Sequence, residues 1–182
     1  MKRIVAVFII CSLLIGCGIS TSQVSQKVAS KIEPEVSAVT VGETVKEKEF
    51  AQWSVSSTAF SKKISPSKQN EYVTYYENTE EGYTYLDVVI QLTNLKEEDE
   101  ISDQFLTVGV VYDEKDLYGT YVTVEDSEGQ EFEFANATSI APEQTSVLHY
   151  YASVPEEMEN DDKPVKAIIT CQEKVYEIAI RE

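Results

Sequence analysis

The sequence predicts an all-β fold: an antiparallel sandwich of about eight short strands, set behind an export signal and a linker. Three observations carry this. From Phe50 onward, apolar and aromatic residues recur in short runs with period two, the spacing of a strand that has one face in a core. Turn residues separate those runs, at 78–82, at 126–129 and at Pro155. No later stretch carries an apolar stripe of helical period.

The chain opens differently. Lys2 and Arg3 precede an almost unbroken apolar run over 4–15, and Gly16 is a small residue before a cut. That run falls short of the roughly 20 apolar residues needed to span a bilayer. Residues 1–16 therefore read as a signal peptide. The tetrad Leu14-Ile15-Gly16-Cys17 resembles the lipobox of bacterial lipoproteins. The resemblance implies cleavage before Cys17, lipid on its thiol, and a protein held on the extracytoplasmic face of the cell membrane. A single acyl chain anchors only marginally; two or more hold a protein stably.

Residues 17–47 are rich in Ser, Thr, Val, Gln and Lys, and they contain no aromatic residue or sustained period. They read as a flexible linker, with a reach of roughly 30 Å as coil. The folded domain is expected over 48–182. All 11 tyrosines and the single tryptophan lie in it.

Within that domain the strands are expected in order. Residues 53–60 and 71–77 come first, then a turn at 78–82. Residues 83–93 are the clearest strand: Leu86, Val88, Ile90 and Leu92 share a core face, while Tyr85, Asp87, Val89 and Gln91 face water. Residues 105–112 follow. Residues 121–125 and 130–136 flank Asp126-Ser127-Glu128-Gly129, a hairpin whose glycine is placed for positive φ. In 145–154, Leu148, Tyr150, Ala152 and Val154 share a face. Pro155 ends that strand and an acidic loop runs to Pro164. Residues 165–171 and 175–180 form a last hairpin. An immunoglobulin-like sandwich accommodates this pattern.

Composition excludes some functions. The net charge is −17, and loss of Lys2 and Arg3 would deepen it. Nucleic acid is excluded as a partner, because it requires a basic surface. Adhesion to anionic lipid headgroups is excluded on the same ground. Of three cysteines, Cys11 lies in the signal and Cys17 is committed to lipid, so Cys171 has no disulfide partner. It is expected in the core, in phase with Ala167 and Ile169.

A family resemblance rests on Trp53, Phe60, Tyr85-Leu86-Asp87-Val88, Leu92-Thr93-Asn94, Val124 to Gln130, Ile140-Ala141-Pro142, Val154-Pro155-Glu156 and Val175-Tyr176-Glu177-Ile178. Together they resemble the telokin-like, immunoglobulin-like domains of unknown function in lipoproteins of Gram-positive bacteria. These are distantly similar in fold to a mycobacterial secreted immunoprotective antigen. The resemblance implies a sandwich over most of 50–182 and brings no active site.

Candidate chemistry is sparse. His149, the single histidine, is expected as an ordinary strand residue without partners, since no Gly-x-Ser-x-Gly elbow accompanies it. The acids at 156–162, with those at 97–100, offer oxygens of the kind calcium takes, but a solvated loop explains them. No metal site or cofactor is expected. The tyrosines are more suggestive, because neighbours on a strand point to opposite faces and some must face outward. Tyr75, Tyr76, Tyr85 and Tyr151 are the candidates for contact with a protein or glycan partner. The expected function is a non-enzymatic binding or accessory lipoprotein. The alternatives are an envelope spacer without a ligand and a calcium-binding domain.

Overall fold

A computed structural model describes residues 35–68 and 74–182; the expected signal peptide and Cys17 lie outside the described residues. The strands in chain order are β1 (Val36–Ala38), β2 (Val45–Glu47), β3 (Ala51–Ser61), β4 (Lys63–Ile64), β5 (Tyr76–Glu77) and β6 (Tyr83–Asn94). Next come β7 (Glu100–Ile101), β8 (Thr107–Tyr112), β9 (Asp116–Gly119), β10 (Tyr121–Glu125) and β11 (Phe132–Phe134). The last are β12 (Ser139–Ile140), β13 (Thr145–Pro155), β14 (Val165–Cys171) and β15 (Lys174–Arg181). Among the described residues, eight strands have four or more residues; seven fall where the pattern predicts a strand, and β9 does not.

They form a β-sandwich. One sheet runs β1-β15-β14-β8-β9 and the other β11-β10-β13-β6-β3-β2, with two small ribbons, β12-β7 and β4-β5. Between the sheets, Trp53, Val88, Ile90, Leu92 and Leu148 meet Val108, Ala167, Ile169, Cys171 and Ile178. A second apolar cluster continues at Leu86, Val110, Ala152, Val154, Met158 and Val165. Each such aliphatic side chain stabilises the fold by about 1.5–3 kcal/mol on burial. The face expected for β6 is observed: Leu86, Val88, Ile90 and Leu92 are all fully buried.

A bulge in β3 reconciles two large residues of opposite parity. Trp53 and Phe60 are seven positions apart, so a regular strand would put them on opposite faces. The register against β6 shifts between Val55 and Ser57. Val55 pairs with Ile90 before the shift, and Phe60 pairs with Leu86 after it. Both aromatic residues thus turn inward, and Ser57 and Ala59 turn out. Ser56, at the bulge, donates its hydroxyl to the Val89 carbonyl at 3.1 Å.

Several expectations need correction. The stretch expected as linker to residue 47 contains β1 and β2. β1 pairs in parallel with β15, and β2 is the edge of the larger sheet. The β1 residues are all exposed, so they carry no apolar period to read; pairing with the last strand orders them. Glu47 closes this segment: its carboxylate accepts hydrogen bonds from the Lys174 ammonium at 2.7 Å and from the Tyr176 hydroxyl. The strand expected over 130–136 shrinks to β11, because the loop spends 130 and 131 on Asp126, whose Oδ1 accepts both backbone N–H groups at 2.7 and 3.2 Å. The acidic loop begins with a single helical turn, α1 (Glu156–Asn160), which buries Met158. Of the strand expected over 71–77, residues 74–77 are described, and strand is confined to β5. Among the described residues, no helix is long and apolar enough to cross a membrane.

Candidate functional site

The outer face of the six-stranded sheet carries the richest chemistry. Directly paired residues on antiparallel strands share a face. Tyr151 on β13 lies opposite Asp87 on β6 and Tyr121 on β10. His149 lies opposite Val89 and Thr123, Thr123 opposite Phe134, and Glu125 opposite Phe132. The alternation that sends Leu148, Tyr150 and Ala152 into the core therefore sends His149 and Tyr151 to this face.

There His149 is not an unpartnered strand residue. Its Nδ1 lies 2.8 Å from Asp87 Oδ2 and its Nε2 lies 3.1 Å from Glu125 Oε1. All three are buried, with exposures of 5%, 7% and 7% for His149, Asp87 and Glu125. Asp87, expected to face water, instead faces a partner. The Ser67 backbone N–H and hydroxyl donate to Glu125 at 2.7 and 2.8 Å, which extends the network to the segment after β4.

The charges are consistent with this geometry. Burial, the largest single influence on His149, disfavours the imidazolium; the two carboxylates together outweigh it and raise the pKa above its ordinary value. A protonated ring donates from both nitrogens, one to each acid. Neither nitrogen is then free to take a proton from a hydroxyl nucleophile, and the Ser67 hydroxyl is spent on Glu125. The arrangement ties β6, β13 and β10 together and fixes the surface above them.

That surface is aromatic. Tyr76 stacks on Tyr151 at 5.4 Å and on Phe132 at 5.5 Å. Tyr85 meets Tyr151 edge-on at 5.2 Å, and Tyr121 lies 5.7 Å from Tyr151 at 34°. Phe132 presents its edge to His149 at 5.0 Å, joining the aromatic and polar clusters. Tyr151, at the centre, has its phenol pushed up to about 12 by burial, reinforced by the neighbouring phenols. At the rim of this group, Tyr121 and Phe134 stand 68% and 76% exposed.

Two of the grooves among the described residues border these clusters. One, of about 570 Å³, runs over the polar network past Ser57, Ser61, Lys63 and Ser67. The other, of about 430 Å³, lies between Tyr76, Tyr151, Tyr121 and Phe134, with Asp103 and Asn136 at its margin.

Of the four candidate tyrosines, Tyr76, Tyr85 and Tyr151 gather in one cluster. Tyr75 does not join it; it is 46% exposed, with the Lys63 ammonium 3.7 Å above its ring. Sequence reasoning missed Tyr121, Phe132 and Phe134. The i, i+2 spacing of the two phenylalanines on the short strand after the hairpin was the available signal. It also missed the acids beside His149, which come from distant strands. Among the described residues, no group of three or more His, Cys, Asp or Glu is arranged to hold a metal ion. In the acidic loop, Asp161 pairs with Arg181 at 2.8 Å, Glu157 with Lys163 at 3.3 Å and Glu156 with Lys62 at 2.5 Å.

No family model and no curated protein matches the chain. Among solved structures, an uncharacterized β-sandwich protein from Clostridium difficile 630 is similar, with a TM-score of 0.76 and 24% identity. The match covers 83% of this chain and 98% of that one. The likeness shows the fold, a β-sandwich.

Proposed function

We propose that the protein is a lipid-anchored module on the extracytoplasmic face of the cell membrane, and that it binds a partner through the outer face of the six-stranded sheet and performs no reaction of its own. One observation carries the reading. Two large aromatic rings, Tyr121 and Phe134, are 68% and 76% exposed on a base of packed rings and a buried ion network. Aromatic residues on a rigid base are the typical anchors of recognition surfaces. Lys2, Arg3, the apolar run and Cys17 support the anchoring.

Cross-linking in cells tests the binding role. A photoreactive residue at Phe134 should give a discrete adduct. The same residue at Leu117, which is 72% exposed on the other sheet, should not. Equal labelling at both positions, or none, refutes the reading and favours an envelope spacer without a ligand. Anchoring is tested separately: Cys17→Ala should move the protein from the membrane fraction to the medium.

A further inference from the structure

We infer that the groove between Tyr76, Tyr121 and Phe134 takes an uncharged sugar ring, stacked on the exposed aromatic faces and hydrogen-bonded at its edge by Asn136 and Asp103. This rests on the binding reading above and names the class of ligand.

Size is the first argument. The groove measures about 430 Å³, within the range of small-ligand sites, about 300–1,000 Å³. A protein partner would cover about 800 Å² on its side, well beyond the groove itself, whereas a single sugar ring is matched to it.

Ring geometry is the second. Tyr76 and Tyr121 lie at 22° and 34° to Tyr151. The stacked rings of Tyr76, Tyr151 and Phe132 cover one another's faces and form the floor; Tyr121 and Phe134, 68% and 76% exposed, leave a platform of apolar ring surface open beside it, whereas a cation is enclosed by rings that face it from several sides. A platform suits a ligand with a flat apolar face, and the C–H face of a sugar ring is one. Phe134 extends it from the adjacent strand, since its partner Thr123 is two residues from Tyr121.

The margin is the third. Asn136 is exposed and sits in the turn closed by the Ala137 and Thr138 N–H groups on the Phe134 carbonyl, at 2.9 and 3.0 Å. Its amide offers both donors and an acceptor. Asp103 accepts one bond from Gln104 at 2.7 Å and can accept more from hydroxyls. No basic side chain lines the groove, which disfavours an anionic ligand. Planar polar groups around an aromatic floor match the hydroxyl rim of a sugar.

Calorimetric titration of the full chain with cello-, chito- and manno-oligosaccharides tests the inference. At least one should bind, and Tyr121→Ala, Phe134→Ala and Asn136→Ala should each weaken it about tenfold or more with melting temperature unchanged. Binding insensitive to all three substitutions overturns the site. Failure of every oligosaccharide to bind overturns the ligand class. If Phe134 cross-links a protein in that case, the binding reading survives without the sugar; if it cross-links nothing, both fall.

Discussion

His149 Nδ1 and Asp87 Oδ2 lie 2.8 Å apart across two neighbouring strands, although 62 positions separate them in the chain. With Glu125 on the other side of the ring, this contact places one titratable cation between two buried acids.

The folded state holds the His149 proton more tightly than the unfolded chain, whose value is 6.5. The stability it contributes is therefore fully present below about pH 6.5, and is lost as pH rises through the folded value. Because His149 is the single histidine, one imidazole resonance reports the titration directly. NMR should place its midpoint above 6.5, and Asp87→Asn should lower it. A midpoint at or below the free value contradicts the network.

His149→Ala should be costly. It leaves two buried carboxylates facing each other without the cation between them, a loss of about 3–5 kcal/mol. Urea denaturation measures it. A cost under about 1 kcal/mol, as for an ordinary exposed strand residue, would show that the ion pairs contribute little.

The true start of the domain is testable through Glu47. Its carboxyl is held below the ordinary value by the Lys174 and Tyr176 hydrogen bonds, which together outweigh burial. A lowered acid contributes stability above its unfolded value of 4.5, lost as pH falls through the folded one. Glu47→Ala should cost about 1–3 kcal/mol near neutrality, and less in acid. A chain beginning at residue 48 should melt below one beginning at residue 35. Equal melting temperatures would make the first two strands dispensable.

Gly129 has φ of +70°, and a Cβ there would sit 2.9 Å from Ser67 Oγ and 3.1 Å from Glu125 Oε2. Gly129→Ala should therefore strain the turn and disturb the network at once, costing about 1–3 kcal/mol. Thermal denaturation checks it; an unchanged melting temperature would mean the turn relaxes freely.

Cys171 is fully buried, and its thiol is pushed up to about 11, first by burial and then by Glu47. A bulky thiol reagent should leave it unlabelled in the folded protein and modify it in denaturant, as read by peptide mapping. Rapid labelling of the folded chain would place it outside the core.

The sheet fold was legible because it rests on local alternation. Leu86 to Leu92 and Leu148 to Val154 display their buried faces in the order of their letters, and Asp126 to Gly129 announces its turn. β1 was not legible: three exposed residues carry no pattern, and they become a strand only because β15 offers its edge. The β3 bulge was not legible either: nothing in the run from Trp53 to Phe60 says that both rings face the core or where the extra residue sits. For the candidate site, tyrosine crowding indicated that some rings must face outward, and Tyr76, Tyr85 and Tyr151 do share one patch. Period two specifies a face but not which strands lie side by side.

By itself, then, the sequence determined the class of fold, the inward residues of its long strands and the place of Cys171 in phase with Ala167 and Ile169, because each depends on spacing along the chain. Only the tertiary structure decided that Asp87 and Glu125 flank His149, and that Tyr121 and Phe134 border a groove over Tyr76 and Tyr151. Those relationships depend on the strand order β11-β10-β13-β6, which arises from long-range pairing and leaves no mark in any local run of residues.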